Sequence, residues 1–276
     1  MTRRLRPVAD APALVIEPDR GNAPRTLAVA DLHLGLAGST ARPMGPPEAT
    51  AVTMGDRLLA LARGEAAAAV VVAGDVKHPI VGTPPALRPV VFDFFARLLD
   101  AGLSVDVVLG NHDAGLVPYL PREVTVHPAE GAVLGGVGIF HGHRWPGDSV
   151  LARPRWVTGH LHPGFRFAPT AEYPDGKRPC WVRERFAPPG VPRPSKDRPR
   201  PRVRELVVLP PFNPLAGVEA LNRERPARGR SFLYSRFLAH GTARAYLLDG
   251  TDLGALPTLA PEGVPRRGAP GAGRGR

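Results

Sequence analysis

Five short clusters in this 276-residue chain carry side chains able to bind cations or move protons: Asp31-Leu32-His33, Gly74-Asp75, Gly110-Asn111-His112-Asp113, His141-Gly142-His143 and Gly159-His160-Leu161-His162. Taken singly each is ordinary turn vocabulary, because Asp, Asn and Gly are favoured wherever a chain reverses. Their context is what unites them. Each follows an apolar run of the kind that forms a buried strand, as residues 105–109 do before Gly110. Five polar clusters at five strand ends are the pattern of one composite site.

The side chains in it are His, Asp and Asn. Imidazole with carboxylate suits Mn, Fe or Zn, whereas a thiolate zinc site needs more cysteine than the single Cys180 provides. Seven candidate ligands, Asp31, His33, Asp75, Asn111, His141, His160 and His162, are too many for one ion. Two divalent ions are therefore expected, Mn²⁺ first, with Fe or Zn as alternatives. Two cations ~3.5–4 Å apart need an anion between them and can clamp the attacking and leaving oxygens of a phosphoryl displacement. Asp75, alone at its strand end, is the natural bridge, and a water bridging both cations is the expected nucleophile. The leaving alkoxide then needs a proton. His112, beside Asn111, is placed to be the general acid, with Asp113 expected to orient its ring.

The elements that must hold these clusters follow from periodicity. Residues 14–16 read as a first edge strand, 26–30 as a buried strand, 49–63 as a helix, and 70–73 as a second buried strand. Helical spacing returns over 85–99, with Gly102 where a C-terminal cap belongs, before the strand at 105–109. Strand, helix, strand in repetition predicts an α/β layered fold with largely parallel strands. After Gly110 the rhythm changes to short strands at 124–126, 133–140, 155–158, 164–168, 179–182 and 206–209, expected to form a second, mixed or antiparallel sheet packed on the first. A short helix is expected at 219–224 and a closing strand at 243–248. One domain over residues 1–260 is expected, interrupted by a Pro/Arg-rich excursion at about 183–204 and followed by a disordered basic tail, 261–276.

The net charge of +11 resembles a nucleic-acid signature until it is located. Residues 183–204 carry eight Lys/Arg against two acids, and 263–276 carry four Arg and no acid, which leaves about +1 for the rest. Both segments offer salt-dependent attraction to phosphate backbones, without the interleaved aromatics that stack bases. With one cysteine, no intramolecular disulfide can form. The run 11–16 after the N-terminal arginines is too short and too proline-interrupted for a signal peptide, and no apolar run approaches the ~20 residues of a spanning helix. A cytoplasmic protein without membrane association is expected.

The same clusters, in this order, resemble the calcineurin-like metallophosphoesterase superfamily. Within it the chain is most similar to the ICC-like, SbcD-related branch that includes the ligase-associated phosphoesterases. Asp31-Leu32-His33-Leu34-Gly35, Gly74-Asp75-Val76-Lys77-His78, His160-Leu161-His162-Pro163 and the later Leu209-Pro210-Pro211-Phe212-Asn213-Pro214 with Gly217 carry that likeness. It implies a four-layer αββα sandwich, with Asp31, His33 and His162 on one metal, Asn111, His141 and His160 on the other, Asp75 shared, and His112 as catalytic histidine. Phosphatases of the superfamily often carry an Asp-Arg pair after the bridging Asp. Here Val76-Lys77-His78-Pro79 stands instead, and Lys77 or His78 is expected either to take over part of that pair's role in orienting the acid or binding phosphate, or to be solvated.

The expected function is a dinuclear, metal-dependent phosphodiesterase, the preference for diesters and for nucleic acid coming from the resemblance and the basic segments, with a DNA-repair context and repair partners implied by the resemblance alone. The alternatives are a phosphomonoesterase acting on a metabolite or phosphoprotein, and a nucleic-acid-binding protein with a structural metal site. The family pattern favours His141 over His143 as ligand, leaving His143 to contact substrate. Arg144 is either a phosphate grip or a surface residue, His127 and His240 read as surface histidines, and Cys180 as a small buried hydrophobe.

Overall fold

The computed structural model describes residues 5–18, 24–36, 46–186, 194–222, 233, 237–238 and 243–256. Its first sheet has six strands in the order β1 (Leu5–Pro7), β2 (Leu14–Ile16), β3 (Arg25–Val29), β4 (Ala67–Ala73), β5 (Ser104–Val108) and β6 (Thr125–His127). β1, β2 and β3 are antiparallel, whereas β3 to β6 run parallel. Parallel neighbours require crossovers. Helices α1 (Pro47–Gly64) and α2 (Leu87–Asp100) supply the two that join β3 to β4 and β4 to β5.

Strand residues alternate between two cores, as a period of two requires. Leu27, Val29, Val70, Val72, Val105 and Val107 face the helices, packing on Met54 and Leu58 of α1 and on Val91, Phe94, Phe95 and Leu98 of α2. Ala28, Val71, Ala73 and Val108 face the other way, onto the second sheet. A strand buried on both faces reads as the unbroken apolar run seen at 70–73. Gly102 ends α2 with φ +81, its N–H donating to Leu99 O at 2.8 Å and that of Leu103 to Leu98 O at 3.2 Å. This is the paired bonding of a glycine-terminated helix, as the sequence predicts.

The second sheet has β7 (Ala132–Leu134), β8 (Val137–Ile139), β9 (Arg155–Thr158), β10 (Pro163–Arg166), β11 (Lys177–Arg185), β12 (Glu205–Val208), β13 (Glu219–Ala220), β14 (Arg244–Leu247) and β15 (Asp252–Ala255). Its order is β13-β10-β11-β12-β9-β8-β7, with β14 on β11 and β15 on β14. Leu14, Ile16 and Val108 of the first sheet meet Ile139, Val157, Trp181 and Val207 of the second in a shared core. The outer face of the second sheet is covered by the four-residue helix α3 (Asp148–Leu151) and by Leu233, Phe237 and Leu238. Two mixed sheets packed face to face with helices outside form the expected α/β sandwich, with the fourth layer thin among the described residues.

Several expectations need correction. Strand 14–16 is not an edge, because β1 pairs outside it. The strand near 124–126 joins the first sheet beside β5 instead of opening the second. The run 133–140 is two strands, since Gly135 and Gly136, both at positive φ, fold it into a hairpin. Residues 219–220 form a strand against β10, not the start of a helix. The strand near 243–248 does not close the sheet, as β15 adds beyond it. β11 extends through Arg185, so Arg183 to Arg185 belong to the sheet and not to the excursion. Residues 187–193, His240 and the expected tail, 261–276, lie outside the described residues.

Candidate metal centre

The five clusters meet where the two sheets present their strand ends. Asp31 and His33 follow β3, Asp75 follows β4, Asn111 and His112 follow β5, His141 follows β8, and His160 and His162 follow β9. Crevices beyond the carboxyl ends of parallel strands are the usual ligand position of α/β sheets. The loops after β3 and β4 keep bonding past the sheet, with His33 N–H donating to Asp75 O at 2.9 Å and Leu34 N–H to Val76 O at 2.8 Å. Asn213, which is buried, ties a third strand end to them by donating from Nδ2 to Leu32 O at 2.8 Å.

Two groups of potential ligands result, Asp31 with His33 and His162, and Asp75 with His141 and His160, their ligand atoms within 4.8 Å of one another in each. Asp75 reaches toward both: its Oδ2 lies 3.2 Å from His141 Nε2 and 3.7 Å from His33 Nε2. His33 and His162 approach at 3.2 Å between their Nε2 atoms, and His162 Nε2 lies 3.3 Å from Asp31 Oδ1. His141 Nε2 and Asn111 Oδ1 are buried without a hydrogen-bond partner. Such atoms are costly to leave unsatisfied. A divalent cation would satisfy the acceptors among them, so the donor set fits a divalent metal ion.

Backbone geometry marks the same residues. Seven described non-glycine residues have positive φ, and five of them are Asp31 (59°), His33 (42°), Asp75 (54°), His160 (69°) and His162 (43°). Left-handed conformations of non-glycine residues are strained and concentrate at functional sites.

Electrostatics follow from burial and the two carboxylates. Burial alone would raise Asp31 and Asp75, but His162 and His141 outweigh it for Asp31, and His141 with the His112 N–H for Asp75, so both sit below the ordinary carboxylate range. Burial would lower the His141 ring, yet Asp75 and Asp31 push it up to about 9. His33 and His160 are pushed down to about 4, chiefly by burial.

The loop that carries His112 differs from expectation. Asp113 does not orient the ring. It is buried, and its carboxylate accepts N–H bonds from Val76 at 2.9 Å, Lys77 at 3.3 Å and Gly110 at 2.8 Å. The ring is held instead by the His78 carbonyl, which faces Nδ1. The other nitrogen, Nε2, points to within 3.8 Å of Asp75 Oδ2. Gly110 is needed for close approach and not for a special φ, since a Cβ there would overlap the Asp75 carboxylate and backbone nitrogen.

Lys77 is neither solvated nor open to substrate, being fully buried with its ammonium donating to the Pro79 and His112 carbonyls. The His78 ring does lie at the site, 5.5 Å from the His33 centroid and 5.8 Å from that of His112, and the three form a third potential ligand group. His143 flanks His141 at 5.5 Å between centroids, half-buried and pushed down to about 4 by burial. Arg144 is exposed and pairs with Glu130 at 2.8 Å instead of reaching into the site. His127 is half-buried against Asp106 at 2.6 Å, and Cys180 is fully buried, which pushes its thiol up. Part of the basic segment is neutralised: Arg183 pairs with Glu205, and Arg198 with Asp148 at 2.7 Å. Asp113, expected to act on the His112 ring, and Asn213, which stands in the Pro-rich motif without an assigned role, both bond the backbone of neighbouring loops through their side chains.

No family model and no curated protein matches the sequence. Among solved structures, the crystal structure of Pseudomonas putida nuclease MPE matches with a TM-score of 0.51 at 19% identity, covering 90% of this chain and 100% of that one. At that identity the likeness is one of fold. No helix among the described residues is long and apolar enough to cross a membrane.

Proposed function

We propose that the chain is a metal-dependent phosphoesterase that hydrolyses phosphodiesters at this centre. The observation that carries the reading is the pair of ligand groups meeting at Asp75 with the His112 ring beside them. On this reading Asp31, His33 and His162 hold one divalent ion, Asn111, His141 and His160 the other, and Asp75 both. The ions, Mn²⁺ foremost, supply charge for the phosphoryl oxygens and acidify water.

The protein's own groups then divide the remaining work. Asp75 Oδ1 accepts the His112 N–H at 2.9 Å, which fixes that backbone relative to the centre. With Nδ1 turned to the His78 carbonyl, His112 keeps Nε2 for the substrate. Water, having given one proton to solvent, forms the new P–O bond, the bond to the leaving oxygen breaks with its electron pair on that oxygen, and the Nε2 proton neutralises it, His112 regaining a proton from solvent. Nucleic acid is the proposed diester, supported by the nuclease of like fold and by the basic excess, and a DNA-repair setting rests on the sequence resemblance alone.

The test uses chelated protein reloaded with Mn²⁺, assayed on a bis-aryl phosphate and an aryl monophosphate. Faster diester turnover, abolished by chelation, is expected; faster monoester turnover would replace the proposal with a phosphatase. Metal-insensitive or absent turnover on both, with DNA binding retained, would leave a nucleic-acid-binding protein.

A further inference from the structure

The loops after β4 and β5 are stitched together around His112. Asp113 fastens the backbone of both through Val76, Lys77 and Gly110. Lys77, with no exposed surface, donates its ammonium to the His112 carbonyl. Full burial of a lysine is rare and carries a desolvation penalty that an apolar side chain of like volume would avoid. What an apolar side chain could not do is grip a carbonyl of the residue read here as the proton donor.

We propose that Lys77 is a positioning residue that aims His112 for proton delivery. The substrates this arrangement fits are phosphodiesters of poor leaving groups, alkoxides such as sugar hydroxyls, and not aryl esters or phosphoanhydrides. Aryl oxides and phosphates depart without a proton, so a rigidly held donor gains them little. An alkoxide leaves only as it is protonated, and misplacement of the donor is felt in full. The inference rests on the reading of His112 as general acid.

The experiment compares wild type, Lys77→Met, His112→Ala and the double variant, all loaded with Mn²⁺, on diesters that differ only in an aryl or alkyl leaving group. General acids contribute roughly 10²–10⁴-fold, so His112→Ala should lose on that order with alkyl esters and little with nitrophenyl esters. Lys77→Met should lose at least about tenfold in kcat with the same leaving-group dependence, with KM and metal content held. In the His112→Ala background it should lose almost nothing more. A loss equal across leaving groups, or fully additive with His112→Ala, would overturn the role of Lys77. If Lys77→Met does not fold, Lys77→Arg takes its place with the same outcomes, since it keeps the cation but not the compact geometry. A flat profile for His112→Ala sinks the general-acid reading and the inference with it; a flat Lys77 profile beside a steep His112 profile sinks the inference alone.

Discussion

Asp75 concentrates the electrostatics of the centre in one side chain. Its Oδ1 accepts from the backbone of one loop, while Oδ2 faces histidines of both ligand groups. Substitution by Asn keeps the size but removes the charge and can place an amide donor where Oδ2 faces His141. On the proposed two-ion reading, Asp75→Asn is therefore expected to lose at least one ion after dialysis, as read by elemental analysis; two retained ions would remove the bridging role. The left-handed φ of Asp31, His33, Asp75, His160 and His162 belongs to the same scale, since each such residue costs on the order of 1–3 kcal/mol that the surrounding packing must offset. Nothing in residue type alone reveals that strain.

At the scale of elements, the first sheet is a platform whose strand-end loops must nearly touch. β4 and β5 bring Asp75 and Gly110 so close that no Cβ fits between them. Gly110→Ala should cost about 1–3 kcal/mol through overpacking and abolish the proposed phosphoesterase turnover by displacing both loops. Gly102→Ala is the control: its φ of +81 makes alanine cost about 1–2 kcal/mol, but open space surrounds it at the far end of α2. Thermal melts should show both losses, while turnover survives only in Gly102→Ala; equal activity in the two would separate loop contact from catalysis. Helix spacing and the Gly102 cap were visible in the sequence because they are local. The hairpin at Gly135-Gly136, the partner of β6 and the strand at Glu219–Ala220 were not, because pairing is decided by residues distant in the chain.

For the whole molecule, a cluster of buried histidines couples stability to pH. His33, His143 and His160 titrate near 6.5 when unfolded and about 4 when folded, so the stability they contribute is complete above 6.5 and lost as pH falls toward 4. His141, pushed up to about 9, contributes fully below 6.5, and that contribution is lost as pH rises through 9. Metal-free protein should therefore melt highest near pH 6.5 and lower on both sides, more steeply in acid. Bound ions should remove the alkaline limb, because a ligated ring is already in its neutral form and keeps only the proton on its other nitrogen. A melting temperature flat from pH 5 to 9 in chelator would contradict this. The sequence by itself determined the kinds of side chain available and the strand ends that carry them, because ligand chemistry is written in residue type and strand ends in local apolar pattern. Only the tertiary structure decided how the His112 loop is held: Asp113 turns to backbone amides, Lys77 is buried, and the His78 carbonyl takes the ring. Those contacts join loops more than thirty residues apart. Their energy depends on two sheets being packed first, which no local pattern encodes.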